Sequence, residues 1–484
     1  LRQPDRELDV IAMNHHRAAL AAVALLTTLA ACSGSSAPSS NSAAGKTPLQ
    51  DDALPVRSAL PLSAGCGWSL DSNIDTANVA FPDNAAKYSV ALLPITPGTR
   101  VRIDGRYPAA RYFSFNSYDP LLRALDVQTD LNIAPLRAGN NPLQNPSVQP
   151  GARYTIYLNY GAAPTPRAAN TLYAGDIAAG PVVLPNALVP VIYRVYVPGT
   201  GYDFDGGVGL PQLTVETADG KTELAQLPTC AIPPLPTLGG LLPGNGLNAL
   251  LLGADYPDTL ALPFPTAVYP PRTNRFYGLP DSIFAILGNV LPLPVQDTGG
   301  KLPLGEGGFL SNKDNAYVTT GFARKYGNLI VMRAKAPSYR GAPDVALGSE
   351  DLRYWSICEN EFLTQRYVAC SADHETALDR NGYFTIAISD LADRPVNATP
   401  AQQINWLPWG PFIDGLLIYR HMLPSLSFAS AIQNVAKGTP PATVMGEYFP
   451  QVSYCRREIF EHAGNDAAAI FAACAADQQA HPAG

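Results

Sequence analysis

The chain has 484 residues, of which 46% are hydrophobic and 15% charged, and its net charge is −7. That length exceeds one ordinary core and suggests two or three domains. The apolar content excludes a disordered chain, and the acidic balance excludes a broad electropositive field, so no nucleic-acid partner is expected. Pro 46 and Gly 40 disfavour a long-helix protein and fit strands joined by turns.

Residues 1–31 read as upstream sequence plus a signal peptide. Met13 is the better start, because His15, His16 and Arg17 then form a short basic segment ahead of an apolar run from Ala18 to Ala31. The run ends Leu29-Ala30-Ala31-Cys32, which resembles a bacterial lipoprotein signal. The resemblance implies cleavage before Cys32 and lipidation of that residue. The alternative is a plain secretory signal with a chance cysteine. Ser33, rather than Asp, follows; in a Gram-negative cell this suggests outer-membrane sorting. The expected location is extracytoplasmic, with the lipid anchor holding the protein to the cell envelope. Residues 32–62 hold that cysteine and a tether whose Ser/Ala/Gly/Pro-rich start reads as flexible. No later apolar run reaches about 18 residues, which excludes a polytopic membrane protein.

Six cysteines follow Cys32: Cys66, Cys230, Cys358, Cys370, Cys455 and Cys474. An even number in an oxidising compartment suggests disulfides. Pairing within the nearest module gives Cys66–Cys230, Cys358–Cys370 and Cys455–Cys474, although other connectivities exist.

Residues 63–230 and 306–450 read as two copies of one β-sandwich. Tyr88, Gly98 and Pro108 match Tyr317, Gly327 and Pro337 at one constant spacing of 229 residues. Arg111-Tyr112-Phe113-Ser114 then echoes Arg353-Tyr354-Trp355-Ser356. Arg153-Tyr154-Thr155-Ile156 echoes Tyr383-Phe384-Thr385-Ile386, and Ile192-Tyr193-Arg194 echoes Ile418-Tyr419-Arg420. These segments are rich in Val, Ile, Tyr, Phe and Thr, so they read as strands. Alternation puts Trp355 and Ile357 on one side and Tyr354 and Ser356 on the other, with Phe113 and Phe115 on the equivalent side of the first copy. The first of these sides is the expected core. The fold class is therefore mainly β: two tandem, duplicated, antiparallel, jelly-roll-like sandwiches.

Between them, residues 231–305 form a Pro/Leu-rich connector, expected to pack on the sandwiches with a short helix near Asp281–Leu287. An apolar lid or lipid-contacting arm is the sharper reading. After the second copy, residues 451–484 change period and read as a helical hairpin, broken at Gly464-Asn465 and stapled by Cys455–Cys474.

The second half resembles the family known as domain of unknown function 1214, often paired with the one numbered 1254. The motifs are Arg353-Tyr354-Trp355-Ser356, Asn381-Gly382-Tyr383-Phe384-Thr385-Ile386, and Asn405-Trp406-Leu407-Pro408 leading to Leu417-Ile418-Tyr419-Arg420. The resemblance covers about residues 306–425. It implies a β-sandwich and no particular reaction.

Chemistry is thinly signposted. Beyond the signal segment only His374, His421, His462 and His481 remain, so a multi-histidine metal site is not expected, and no cofactor motif is present. Glu359 and Glu361 stand two apart on one strand and are the candidate catalytic pair, since two carboxylates are the minimum for acid/base cleavage of a glycosidic bond. A solvated strand end is the plainer reading. Tyr354, Trp406, Trp409, Arg420 and His421 are the candidate ligand-binding residues: tryptophans stack on sugars, and a strand arginine beside tyrosines binds a carboxylate or sulfate. The plainer readings are buried anchors and an arginine paired with a buried acid. Ser311-Asn312-Lys313-Asp314-Asn315 is dense in oxygen donors but lacks calcium-loop spacing. Two functions follow. One is a membrane-tethered binding or scaffold protein for a polysaccharide or apolar ligand. The other is a carboxylate-dependent hydrolase or lyase acting on an extracellular polymer.

Overall fold

The computed structural model describes residues 67–72, 80–119, 123–179, 182–185, 188–229, 267–277, 310–339, 341, 350–361 and 366–481. All of them belong to one compact unit, 45–235 with 262–484. Cys32, Cys66, Cys230, the expected helix at 281–287 and most of the 231–305 connector lie outside the described residues.

The first half runs β1 (Trp68–Ser72), β2 (Ala86–Pro94), β3 (Thr99–Arg106), β4 (Ala110–Tyr118), β5 (Ala124–Thr129), β6 (Arg153–Asn159), β7 (Thr171–Tyr173), β8 (Asp176–Ala179), β9 (Val182–Pro185), β10 (Leu188–Pro198), β11 (Gln212–Thr217) and β12 (Glu223–Leu227). One sheet has the order β1-β2-β10-β4-β5 and the other β12-β11-β3-β6-β7, while β8 and β9 form a separate hairpin. The second half runs β13 (Thr273–Phe276), β14 (Asn315–Ala323), β15 (Leu329–Lys335), β16 (Leu352–Asn360), β17 (Tyr367–Ala372), β18 (Tyr383–Ser389), β19 (Asn405–Pro408), β20 (Asp414–Pro424) and β21 (Gln451–Tyr454). Its sheets are β13-β14-β20-β16-β17 and β19-β18-β15-β21.

The two halves share one topology. β1-β2-β10-β4-β5 corresponds strand for strand to β13-β14-β20-β16-β17, and β11-β3-β6-β7 to β21-β15-β18-β19. Each half departs from a purely antiparallel sandwich at the same place. Leu158 pairs with Leu172 in parallel fashion in the first half, and Ile388 with Leu407 in the second. A side-chain latch is duplicated there too. Asn170 donates to Ala134 O at 2.8 Å and Thr155 O at 2.8 Å and accepts from Ala134 N at 2.7 Å. Asn405 donates to Ala377 O at 2.9 Å and Thr385 O at 3.2 Å and accepts from Ala377 N at 2.9 Å.

The expected core sides are the observed ones. Phe113, Phe115 and Tyr193 pack with Ile103, Tyr154 and Ile156 in the first core. Trp355, Ile357 and Tyr419 pack with Met332, Phe384 and Ile386 in the second. Yet β4 and β16 are buried at every position, on both faces. Their other faces carry Tyr112, Ser114 and Asn116, or Tyr354, Ser356 and Cys358. A strand buried on both faces is ordinarily apolar throughout. Here the polar face is buried because it meets the other sandwich: Tyr112, Tyr196, Tyr354 and Met422 share one apolar cluster.

Two boundaries differ from the sequence reading. Thr273–Phe276, expected in the connector, is an edge strand on β14, and Gln451–Tyr454, expected in the helical tail, pairs with β15. Both are four-residue strands, too short to show a period. The tail then forms α2 (Arg457–His462) and α3 (Ala467–Ala480), after a single turn α1 (Pro441–Met445). Gly464 takes a φ of 88° between them, and Asp466 caps α3 by accepting from Ala468 N and Ala469 N, both at 2.9 Å. Ile470 and Cys474 of α3 cover Leu329, Val331 and Ala387, the outer side of the second sandwich. Cys455–Cys474 is a disulfide, and so is Cys358–Cys370, across β16 and β17. Among the described residues no helix is long and apolar enough to cross a membrane.

Candidate functional site

The polar joint between the sandwiches is built by crossed arginines. Arg111 of the first half donates to Asp373 of the second at 2.6 and 2.7 Å, and Arg353 of the second donates to Asp130 of the first at 3.1 Å. In both pairs the arginine side chain is 2% exposed and the aspartate 0%. Each aspartate is oriented in the same way by its own half: Phe113 N donates to Asp130 Oδ2 and Trp355 N to Asp373 Oδ2, both at 3.1 Å. Arg111 and Arg353 start equivalent strands, and Asp130 and Asp373 directly follow equivalent strands. A buried ion pair adds little net stability over an apolar replacement, but losing one member is costly. These pairs tie the two halves together across the joint.

A second pair of buried arginines lies on β10 and β20. Arg420 donates to Phe81 O at 2.6 Å, and Arg194 donates to Leu310 O at 2.6 Å. Phe81 and Leu310 both have a φ of 54°, a left-handed conformation that costs a non-glycine residue about 1–3 kcal/mol. The same uncommon backbone thus presents a carbonyl to the opposite half twice. Beyond this the halves differ. Arg420 also approaches Asp83 Oδ2 at 3.4 Å and Cys358 Sγ at 2.8 Å. Asp83 accepts from Tyr354 at 2.9 Å and Ser356 at 2.6 Å. The residue equivalent to Asp83 is Asn312. The acid of that half is Asp314, which accepts from Tyr112 at 2.7 Å and Thr129 at 2.6 Å. Burial raises the Asp314 pKa, and these two hydrogen bonds oppose the rise.

Several candidate ligand-binding residues are therefore structural. Tyr354 and Arg420 are joint residues, 0% and 3% exposed; Arg420 has the buried acid of its plainer reading. His421 points the other way, into the second core. Its Nδ1 accepts from Ile432 N at 3.2 Å, and burial, with Arg275 nearby, pulls its pKa down to about 3. Trp409 is buried edge-on to Phe322 at 4.5 Å between ring centres. Trp406 packs instead with the residues beneath α2 and α3 and donates to Ser389 Oγ at 3.1 Å. The two tryptophans serve different clusters, and a buried Trp409 offers no face to a sugar. The Asn312–Asp314 oxygens are taken up by the joint. Among the described residues one group has metal-ligand spacing, Asp83 with Cys358 and Cys370, and its sulfurs are bonded to each other.

The candidate catalytic pair is also buried, with Glu359 0% and Glu361 5% exposed. The alternation that sends Trp355 and Ile357 inward sends Glu359 inward too, and an irregularity in the β16–β17 register falls between Glu359 and Asn360. Gly415 makes room for it: a Cβ there would lie 2.4 Å from both Glu359 Oε1 and Phe322 Cζ. Neither Glu359 oxygen makes a hydrogen bond. Burial pushes its pKa well above the carboxylate range; the nearby Asn360 amide and Arg324 oppose that, and Asp414 and Glu361 add to it. A raised pKa is the direction a general acid needs. The Trp409 indole N–H is likewise buried without a partner. In the first half the place of Glu359 is taken by Ser117, which simply donates to Tyr173 O at 2.7 Å.

The sequence reading missed Asp83, Arg111, Asp130, Arg353 and Asp373. The available signal was the repeated Arg-Tyr-aromatic-Ser, in which the arginine is kept with the core residues.

Comparison with known proteins adds little. No family model matches, and no curated protein matches. Similar solved structures include an uncharacterized protein from Burkholderia cenocepacia, at 14% identity and TM-score 0.40, covering 75% of this chain and 80% of that one. A Vibrio parahaemolyticus protein shares 13% identity at TM-score 0.34, covering 78% and 90%. A biofilm-associated protein's BSP domain shares 8% identity at TM-score 0.15, covering 77% and 53%.

Proposed function

We propose that the protein is an exported, lipid-anchored binding or scaffold protein of the cell envelope, with a polysaccharide or apolar ligand. The observation that carries the scaffold part of this reading is the joint. Crossed, buried arginine–aspartate pairs unite the two sandwiches and consume the polar residues that would otherwise line a groove between them. Export and anchoring rest on the Leu29-Ala30-Ala31-Cys32 signal, and kinship with the family numbered 1214 rests on the motifs quoted for it. The test is thermal unfolding of the full chain against oligosaccharides and acyl lipids, because a ligand of the folded state raises Tm. A saturable shift supports the reading, and no shift with any of them removes its ligand. Metabolic labelling with palmitate tests the anchor: label should reach the wild type and be lost in Cys32→Ser.

The alternative, a carboxylate-dependent hydrolase or lyase, draws on one observation: burial, with Glu361 nearby, raises the pKa of Glu359. Its burial opposes access by a polymer. Turnover of an oligosaccharide that Glu359→Gln abolishes while Tm holds would establish this alternative over the binding reading.

A further inference from the structure

Arg194 carries a positive charge that the described residues do not neutralise. It is 2% exposed. Nη2 donates to Leu310 O at 2.6 Å, while Nη1 is buried with no hydrogen-bond partner. The rings of Tyr88 and Tyr118 stand 5.6 and 5.5 Å from its guanidinium carbon. Tyr196 and Tyr317 also surround it. Burial pushes the phenols of Tyr88, Tyr118 and Tyr196 up, so these three are neutral at pH 7 and supply no counter-charge. The Tyr118 hydroxyl lies near Arg194 but directs its proton to Ser311 O at 2.9 Å.

Arg420 supplies an internal comparison. Its Nη2 makes the same bond to the same kind of left-handed carbonyl, and its Nη1 faces Asp83, Ser356 and the Cys358 sulfur at 3.4, 3.5 and 2.8 Å. The corresponding residues around Arg194 are Asn312, Ser114 and Asn116. Asn312 accepts from Asp314 N at 3.1 Å and donates to Tyr112 at 2.9 Å. Asn116 donates to Ser114 Oγ at 3.1 Å and accepts from Lys313 N at 3.1 Å. The carboxylate of this half, Asp314, is bound to Tyr112 and Thr129 instead. The cation was kept in both halves and the matching acid in only one. A buried guanidinium without an anion is strongly disfavoured.

We infer that the joint binds a small monovalent anion of halide type against Arg194 Nη1, balancing this arginine as the Asp83 carboxylate balances Arg420. The anion accepts the N–H that nothing else accepts and balances a charge that neutral tyrosines cannot. Because Arg194 belongs to the first half and Leu310 to the second, it also fastens the joint.

The test is thermal unfolding of the full chain at constant ionic strength, with sodium chloride replaced stepwise by sodium gluconate, whose anion is too bulky for a buried site. Tm should rise with chloride as a binding isotherm. Asn312→Asp, which supplies a carboxylate beside Arg194, and Arg194→Met, which removes the cation, should each abolish that rise. A crystal soaked in bromide should show an anomalous peak within about 3.5 Å of Arg194 Nη1. Equal Tm values in chloride and gluconate would overturn the inference. So would a chloride response that persists in Asn312→Asp. If Arg194→Met does not fold, Asn312→Asp and the bromide peak still decide.

Discussion

The two sandwiches are built to one plan and differ where their histories could diverge without breaking it. Strand order, the parallel pair, the asparagine latch, the left-handed carbonyls and the crossed arginines occur in both halves. Among the described residues four features occur only in the second: the Cys358–Cys370 disulfide where the first has Asn116 and Val127, Glu359 where it has Ser117, His421 where it has Val195, and the helical hairpin over the outer sheet. Three features mark the first among the described residues: the uncompensated arginine, the edge strand β12 and the β8–β9 hairpin. What is shared builds the joint and the cores, so those features are structural. Three of the unshared features, the Cys358–Cys370 disulfide, Glu359 and His421, gather on β16, β17 and β20, where chemistry of the second half is to be sought.

The comparison can be broken most forcefully at the joint. Arg111→Met and Arg353→Met each strand a buried aspartate and should each lose about 3–5 kcal/mol in denaturant unfolding. Their losses should agree to within about 1 kcal/mol, and a clear mismatch would show that the halves do not contribute alike.

A sharper contrast is expected at the second pair of arginines. Arg420→Met strands Asp83 and should lose about 3–5 kcal/mol, whereas Arg194→Met in halide-free buffer strands no acid and should lose no more than about 1–2 kcal/mol. Equal losses would remove the asymmetry between the two sites.

The disulfide comes next. Cys358→Ser with Cys370→Ser opens a loop with a sequence separation of 12. The chain-entropy relation gives a loss of about 3 kcal/mol. Since the first half holds the same hairpin without a bridge, the variant should keep the wild-type fold by circular dichroism.

Two further effects appear only as pH is varied. His421 is neutral in the folded chain with a pKa of about 3, below its unfolded value. The unfolded chain therefore binds the extra proton below about pH 6.5, and stability falls by about 1.4 kcal/mol per pH unit as pH drops from there toward 3. Glu359 has the opposite sign. Its folded pKa is raised, so its contribution is fully present below the unfolded value and is lost as pH rises through the folded one. His421→Val should flatten the fall in stability toward acid pH and Glu359→Gln the fall as pH rises above the ordinary carboxylate range, in chemical unfolding followed across pH. A fall left unchanged by its variant would show that the group is not buried as described.

Much of this plan was legible from the residues, for physical reasons. Aromatic and β-branched alternation revealed the strands, and the constant spacing of Tyr, Gly and Pro revealed the repeat. The inward direction of Glu359 was implicit in the parity of Trp355 and Ile357. The joint was not legible, because Tyr112, Ser114 and Asn116 look like a solvent face when a strand is read alone. Asp130 and Asp373 sit just beyond strand ends, where acids are commonplace. Arg420 and Tyr354 look like ligand-binding residues in the sequence because a polar strand face does not say whether it meets water or a second sheet. The short strands β13 and β21 escaped because four residues carry too little pattern.

Crossed pairing of the arginines is the centre of this account, and a set of double-mutant cycles tests it directly. Unfolding free energies would be measured for Arg111→Met, Arg353→Met, Asp130→Asn, Asp373→Asn and the pairwise combinations. The crossed pairs, Arg111 with Asp373 and Arg353 with Asp130, should show coupling above about 1 kcal/mol, and the same-half pairs, Arg111 with Asp130 and Arg353 with Asp373, markedly less. Stronger coupling within each half than between halves would contradict the crossed joint.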